Sequence, residues 1–292
     1  MALPHSSGID RLVDRKPRDD EIDVFGLTHK GLVREVNQDN FLIAGMRKQM
    51  QIHLTSLPDP DAIGGNERVA MFGMVADGVG GGPRGEVASR FAAEAITRYV
   101  AESVRCYYAA DLTDEIAFLR SLEEGALQCH MDLTNRAQDD PDLEGMATTL
   151  TLWIGVWPRA YLLQVGDSRC YTLRDGELTQ ISRDQTLAQD LIDQGVFTRA
   201  DAEHSRFANV LASAIGGPEA APIVTRLEQR WGDIGLMCSD GLTKHVSDDR
   251  IRDRLLSMTS ARQACETLLG DALDAGGTDN ITIVVGRTIR RD

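Results

Sequence analysis

From Val69 to Ala76 the chain reads VAMFGMVA, an unbroken apolar run with the length and pattern of a buried strand. A glycine-rich stretch follows. Val87, Phe91, Ala95, Tyr99 and Val100 then recur at helical spacing, with Arg90, Glu94 and Arg98 on the other face, which predicts an amphipathic helix. Ile116, Leu119, Leu122, Ala126, Leu127 and Met131 repeat that pattern in a second helix, with no strand between the two. Residues 148–181 read as one meander, with strands at 148–157, 161–165, 170–173 and 177–181 and turns at Pro158-Arg159 and Arg174-Asp175-Gly176. Turns of hairpin length predict antiparallel neighbours. Residues 185–217 turn helical and polar, 224–229 and 235–238 look like strands, 247–257 and 260–273 like helices, and 280–285 like a last strand. Antiparallel strands with helices inserted in pairs predict a layered α+β domain, not an alternating βαβ array.

No internal repeat or Pro/Ser-rich linker interrupts the pattern, so residues 22–292 are expected to form one domain. Residues 1–21 are polar, with the mixed-charge run Arg15-Lys16-Pro17-Arg18-Asp19-Asp20, and are expected to be a flexible tail. Residues 45–67, containing Pro58-Asp59-Pro60 and Gly64-Gly65, are expected to be a long mobile hairpin connection. With 42% hydrophobic residues in 292, the chain can build a sizeable core. Lys and Arg total 31 against 45 Asp and Glu, a net charge of −14, which offers no overall basic footprint for nucleic acid or an anionic membrane. The five cysteines include no C-x-x-C pair and the six histidines no H-x-x-x-H pair, against a disulfide framework or a thiolate zinc site. A reducing, cytoplasmic setting is the expectation. No apolar run of ~18 residues is present to span a bilayer, and residues 1–20 lack the apolar stretch of a secretory leader.

Candidate chemistry lies at strand ends. Asp77 follows the apolar run and precedes Gly78; Asp167 follows Leu162-Leu163-Gln164-Val165-Gly166; Asp240 follows Leu236-Met237-Cys238-Ser239 and precedes Gly241; Asp279 follows Gly276-Gly277-Thr278 and opens the last strand. Singly, each could be an ordinary turn aspartate. Together they point to one shared counter-charge, because a carboxylate at the edge of a buried strand is costly unless matched. All-oxygen ligation selects a hard divalent ion, Mg²⁺ or Mn²⁺, over zinc. Gly80, Gly82 and Gly85 also satisfy G-x-G-x-x-G between strand and helix, the fingerprint of a dinucleotide-dependent oxidoreductase. That reading requires a parallel strand after the helix, and a second helix stands there instead.

Six segments occur in the order of a known family: Arg34-Glu35-Val36-Asn37-Gln38-Asp39; Asp77-Gly78-Val79-Gly80-Gly81 with Gly85-Glu86-Val87-Ala88-Ser89; Gly145-Met146-Ala147-Thr148-Thr149-Leu150; Gly166-Asp167-Ser168-Arg169; Cys238-Ser239-Asp240-Gly241-Leu242; and Gly277-Thr278-Asp279-Asn280-Ile281-Thr282. Over residues 22–287 the chain resembles the PPM family of metal-dependent protein serine/threonine phosphatases (type 2C), in its compact bacterial-like form. The resemblance implies a four-layer α-β-β-α sandwich, two antiparallel sheets flanked by helix pairs, with two metal ions, Mn²⁺ or Mg²⁺, at one end and a third held more weakly. It implies that Asp77 bridges two ions, the Gly78 carbonyl binds the second, Asp240 and Asp279 complete the first, and Asp167 with Asp240 holds the third. Arg34 would clamp the substrate phosphate, and Gln38, Asp39 and Asn280 would support the site from behind. The implied catalytic residues are thus Arg34, Asp77 and Asp240, with residues 185–217 as a flap. Three positions depart from the family pattern: Gln38 where many members carry Glu, Val79 where animal members often carry His, and Gln185 where His is common.

The implied activity is hydrolysis of phosphoserine and phosphothreonine by attack of a metal-bridging hydroxide. Such hydrolysis needs up to ~10²¹-fold acceleration, far beyond the ~10²–10⁴ of one general acid or base, so electrostatic stabilisation has to dominate. The implied partners are phosphoserine and phosphothreonine proteins and a cognate serine/threonine kinase in signal transduction, met by a monomer. A catalytically silent phosphatase-like binding module is the alternative. Cys238 is expected to be a buried small residue, with no C-x5-R motif to make it a nucleophile. Thr148, Thr149 and Ser168 are expected to serve packing and local hydrogen bonding.

Overall fold

A computed structural model describes residues 15–49, 66–80, 83–109, 115–203 and 205–291. The strands are β1 (Ile22–His29), β2 (Asn40–Gln49), β3 (Asn66–Ala76), β4 (Gly78–Val79), β5 (Ala147–Thr148), β6 (Leu150–Val156), β7 (Arg159–Val165), β8 (Arg169–Arg174), β9 (Glu177–Gln180), β10 (Ile223–Glu228), β11 (Ile234–Cys238) and β12 (Ile281–Thr288). The helices are α1 (Pro83–Ala109), α2 (Glu115–Asp139), α3 (Leu187–Asp193), α4 (Arg199–Glu203), α5 (Asp240–Thr243), α6 (Asp248–Leu256) and α7 (Ala261–Asp274). One sheet has the order β1-β12-β11-β8-β9 and the other β10-β7-β6-β3-β2, while β4 and β5 form a small ladder of their own. Every pairing within these sheets is antiparallel. The dinucleotide reading therefore lacks its parallel strand among the described residues.

Helices α1 and α2 cover the second sheet, with Ala88, Ile96 and Leu122 packed on Met74, Leu150 and Ile154. Leu242 of α5, Ile251 and Leu255 of α6 and Leu268 of α7 cover the first, against Leu236, Ile283 and Val285. A thinner cluster, Val75, Leu162, Cys170, Met237 and Val284, fills the space between the sheets. The four layers are those the resemblance implied. Central strands thus touch apolar neighbours on both faces, which explains why β3 and β7 read as continuous runs and not as alternation.

Ser247 and Ser260 cap α6 and α7, each accepting from the backbone N–H three residues on, and so fix where the helices start. Asp271 of α7 ties the two together, accepting from Arg250 at 3.1 Å and from Arg254 at 2.7 Å. Hydrogen bonds from Arg254 outweigh burial, and those from Arg250 add to them, holding its carboxyl down at about 2. A folded-state value below the unfolded ~3.9 stabilises the protein above pH ~4, an effect lost as pH falls towards 2. Asp271→Asn is expected to cost ~1 kcal/mol at pH 7, a figure discounted for solvent screening, with the gap to the parent closing by pH 2. Urea midpoints across that range check it, and an undiminished gap at pH 2 would show that the ion pairs are not its source.

Four expectations are corrected. The meander over 148–181 is two hairpins in different sheets: β6–β7 lies in one, β8–β9 in the other, and the chain crosses between them at residues 166–168. Thr148 belongs to neither, pairing with Gly78 in the β4–β5 ladder. The connection expected over 45–67 is shorter, because β2 runs on to Gln49 and β3 begins at Asn66; the remainder falls outside the described residues. The tail expected over 1–21 is anchored at its end, where buried Glu21 is bridged by Arg15 and Arg18 and its carbonyl accepts from Ile289 N–H at 2.8 Å. Residues 1–14 of that tail lie outside the described residues.

Candidate metal and phosphate site

Four chain reversals meet at one end of the sandwich. Asp77 follows β3, Asp167 sits on the crossover between β7 and β8, Asp240 begins α5 directly after β11, and Asp279 lies just ahead of β12. All four line one cavity of about 470 Å³, together with Arg34, Gln38, Gly78, Asn209 and Lys244. The crossover that broke the expected meander brings Asp167 there.

The backbone behind these carboxylates is pinned. Asp77 N–H donates to Thr149 Oγ1 at 3.0 Å, while its carbonyl accepts from Thr149 N–H and from Thr148 Oγ1, both at 2.8 Å. Thr149 Oγ1 also meets Ser168 Oγ at 2.8 Å, so the segment holding Asp77 is tied to the crossover holding Asp167. These three hydroxyls do more than the local hydrogen bonding expected of them, because their partners lie far along the chain. Gln185 Oε1 accepts from Gly166 N–H at 2.7 Å, which fixes the same crossover from the other side. At Gly78 a Cβ would collide with the Gly85 carbonyl and lie 2.7 Å from the Gln38 carbonyl, so only glycine admits the close approach of these segments.

Asn280 carries the loop with Arg34. Its Oδ1 accepts from Gln38 N–H at 2.8 Å and its Nδ2 donates to the carbonyls of Lys30 and Val36, both at 2.9 Å. Gln38 Nε2 turns onto the Gly80 carbonyl at 2.9 Å. Asp39 is buried, and its Oδ2 accepts from Ser239 Oγ and Thr282 Oγ1, both at 2.7 Å. Its Oδ1 is buried with no hydrogen-bond partner. Cys238 is fully buried, and burial pushes its thiol upward, away from nucleophilic use.

Burial and mutual repulsion govern the electrostatics. Burial, joined by the charges of Asp39, Asp240, Asp167 and Asp279, pushes Asp77 well above the usual carboxylate range. Burial raises Asp39 to about 6, and burial with the Asp240 charge raises Asp167 to about 7. Asp240 is raised by burial against the pull of Lys244. For Asp279 burial acts upward too, but hydrogen bonds from Arg34 and Lys244 outweigh it and leave the carboxyl low. Arg34 grips Asp279 with two donors, Nε to Oδ1 at 2.8 Å and Nη2 to Oδ2 at 3.0 Å. Lys244 Nζ lies 2.6 Å from Asp240 Oδ2 and 2.8 Å from Asp279 Oδ2.

Lys244 and Asn209 are the cavity residues that sequence reasoning missed. The signal for Lys244 was its place one helical turn after Asp240, hidden because the short α5 reads as a turn. Asn209 lay unremarked in the polar segment 185–217, which also contributes Leu211 to the cavity wall. As the side chains stand, no three acidic, His or Cys groups among the described residues converge closely enough to ligate one ion. The donor set nevertheless suits a hard divalent cation: it is all oxygen, and its carboxylates repel one another.

Residues 54–274 match the family model described as Protein phosphatase 2C. The chain is 37% identical over 221 residues to the serine/threonine protein phosphatase PstP of Mycobacterium tuberculosis, a match covering 75% of this chain and 40% of that protein. It is 30% identical over 213 residues to the serine/threonine phosphatase stp of Listeria welshimeri, covering 73% of this chain and 82% of the relative. The solved catalytic domain of PstP in complex with two manganese ions superposes with a TM-score of 0.69 at 31% identity, covering 92% of this chain and 99% of that one. The match thus spans about two fifths of the length of the mycobacterial relative. No helix among the described residues is long and apolar enough to cross a membrane.

Proposed function

The chain belongs to the protein phosphatase 2C family, and from that premise we propose that it is a metal-dependent protein serine/threonine phosphatase. The observation that carries the reading is the meeting of Asp77, Asp167, Asp240, Asp279 and Arg34 in one cavity. Two divalent ions, Mn²⁺ or Mg²⁺, would be held by Asp77, the Gly78 carbonyl, Asp240 and Asp279, with Asp167 facing a further cation. Bound there, such a pair supplies a nucleophile at neutral pH and positive charge for the phosphoryl oxygens. The manganese ions of the PstP catalytic domain support that cofactor.

The chain's own residues do the rest. Arg34 presents a planar, permanently charged fork matched to phosphate oxygens. Its guanidinium is about half exposed, so it reaches a phosphate at the cavity mouth by leaving Asp279. Asp39 fixes Ser239 and Thr282, and through them the starts of α5 and β12. Gln38 and Asn280 hold the Arg34 loop at its far end. Val79 offers no proton for the leaving oxygen. The substrates would be phosphoserine and phosphothreonine proteins, opposed by a serine/threonine kinase, with a monomer acting in the cytoplasm.

Release of p-nitrophenol from p-nitrophenyl phosphate tests the reading. Turnover is expected with Mn²⁺ or Mg²⁺ and none with EDTA. Metal binding without turnover on this substrate or on phosphopeptides would establish the silent binding module instead. Arg34→Ala is expected to raise the KM for phosphopeptides ~10–100-fold, the worth of a charge-assisted pair. An unchanged KM would remove Arg34 from phosphate binding.

A further inference from the structure

Lys244 is a charged cavity residue to which the metal reading gives no role. Its ammonium bridges Asp240 and Asp279 at 2.6 and 2.8 Å, and its side chain is only 27% exposed. The same charge reaches Asp167, where it opposes the burial that drives that carboxyl upward. One positive group therefore acts on three of the four aspartates that line the cavity.

The position is built in. Lys244 N–H donates to the Asp240 carbonyl at 2.9 Å, which sets the two side chains one above the other on a helical turn. That turn cannot slide away, because Leu242 is buried in the core and Gly241 sits hard against the Asn280 carbonyl. A lysine rooted there keeps its ammonium beside Asp240, in the cavity that Asp167 also lines.

We propose that Lys244 is a resident cation of this site: it fills with a fixed ammonium the place beside Asp167 and Asp240 where a third metal ion would otherwise bind, and so limits the site to two ions. Two divalent ions already match Asp77, Asp167, Asp240 and Asp279 in charge. The ammonium and Arg34 together outweigh Glu35, the fifth carboxylate of the lining, and leave a net positive charge to draw in a phosphate dianion. A third divalent ion at Asp167 and Asp240 would sit a few ångströms from a like charge in a poorly solvated space, where repulsion is far stronger than in water. This inference rests on the metal reading proposed above and adds to it the number of ions.

Counting bound Mn²⁺ separates the two. Calorimetric titration, with free Mn²⁺ followed by electron paramagnetic resonance, is applied to the parent protein and to Lys244→Arg, Lys244→Ala and Lys244→Asp. Thermal melts in EDTA confirm that each is folded. The parent and Lys244→Arg are expected to bind two ions, and Lys244→Ala and Lys244→Asp a third, with affinity for it raised at least tenfold and more in the Asp variant. A third ion on the parent over the same concentration range overturns the inference. So do Ala and Asp variants that bind two ions with affinities within twofold of the parent. In both of those outcomes the phosphatase reading stands. If the parent binds no ion at all, both readings fall.

Discussion

Asp77→Asn is expected to abolish metal-dependent turnover, by ~10³-fold or more, and at the same time to raise the melting temperature of the metal-free protein. The two effects have one cause. Asp77 is buried among Asp39, Asp240, Asp167 and Asp279, and burial with their repulsion makes its ionised form costly. Asparagine has nearly the same size. The bonds that hold this segment run from the backbone of residue 77 to Thr148 and Thr149 and do not use its side chain. The fold is thus retained while an unmatched buried charge disappears, a gain of ~1–3 kcal/mol. Turnover of p-nitrophenyl phosphate and thermal melts in EDTA measure the pair. A variant that loses both activity and stability would show the carboxylate to be a structural member instead. Sites that hold repelling groups together for a ligand are where stability and activity are expected to oppose each other.

Gly241→Ala carries the second large effect, here on both quantities in the same direction. A Cβ at position 241 would collide with the Asn280 carbonyl oxygen and lie 2.9 Å from its carbon. Both sides of that contact are backbone, so no side chain can rotate to make room, and overpacking of this kind costs ~1–3 kcal/mol. The residues before the two glycine-contact partners are Asp240 and Asp279. Forcing the backbones apart therefore separates two carboxylates proposed to share an ion, and ~1 Å of misplacement costs ~10²-fold in rate. Gly270→Ala on α7 is the control: a Cβ there meets nothing within 4 Å, and helix propensity predicts a gain of up to ~1 kcal/mol. Urea midpoints and kcat/KM for both variants give the comparison. Wild-type rate and stability in Gly241→Ala would mean that this contact does not set the spacing of Asp240 and Asp279.

Much of this was legible before any coordinates. The unbroken apolar run at 69–76 gave away the buried strand β3, since a strand covered on both faces has no polar side to alternate with. The helices expected over 247–257 and 260–273 begin on the serines that cap α6 and α7, since a capping hydroxyl sits at the start of the pattern it fixes. Asp77, Asp167, Asp240 and Asp279 stood out as acids behind apolar strands, and all four line one cavity. What stayed hidden was partner choice. Nothing in the spacing of β7 and β8 says whether Gly166-Asp167-Ser168 closes a hairpin or passes to another sheet, because either path needs a sharp bend and a glycine. The positions of Lys244 and Asn209 were hidden for a related reason. Each stands on a segment too short or too polar to show a periodicity, so its direction is set by neighbours far along the chain.

The pairing of β1 with β12 joins Ile22 to Thr288 and His29 to Ile281, and Asp39 reaches across to Thr282. On the ribosome, the strand that finishes the first sheet is made some 250 residues after the strand it must lie beside. At ~5–20 residues per second that is a wait of roughly 10–50 s. During it β1 has an open edge of the kind that invites mispairing, and Asp39, Asp77 and Asp240 already exist without Asp279. On the proposed phosphatase reading, a half-made chain therefore lacks a ligand of its first ion until the stretch that carries Asp279 and β12 has been made.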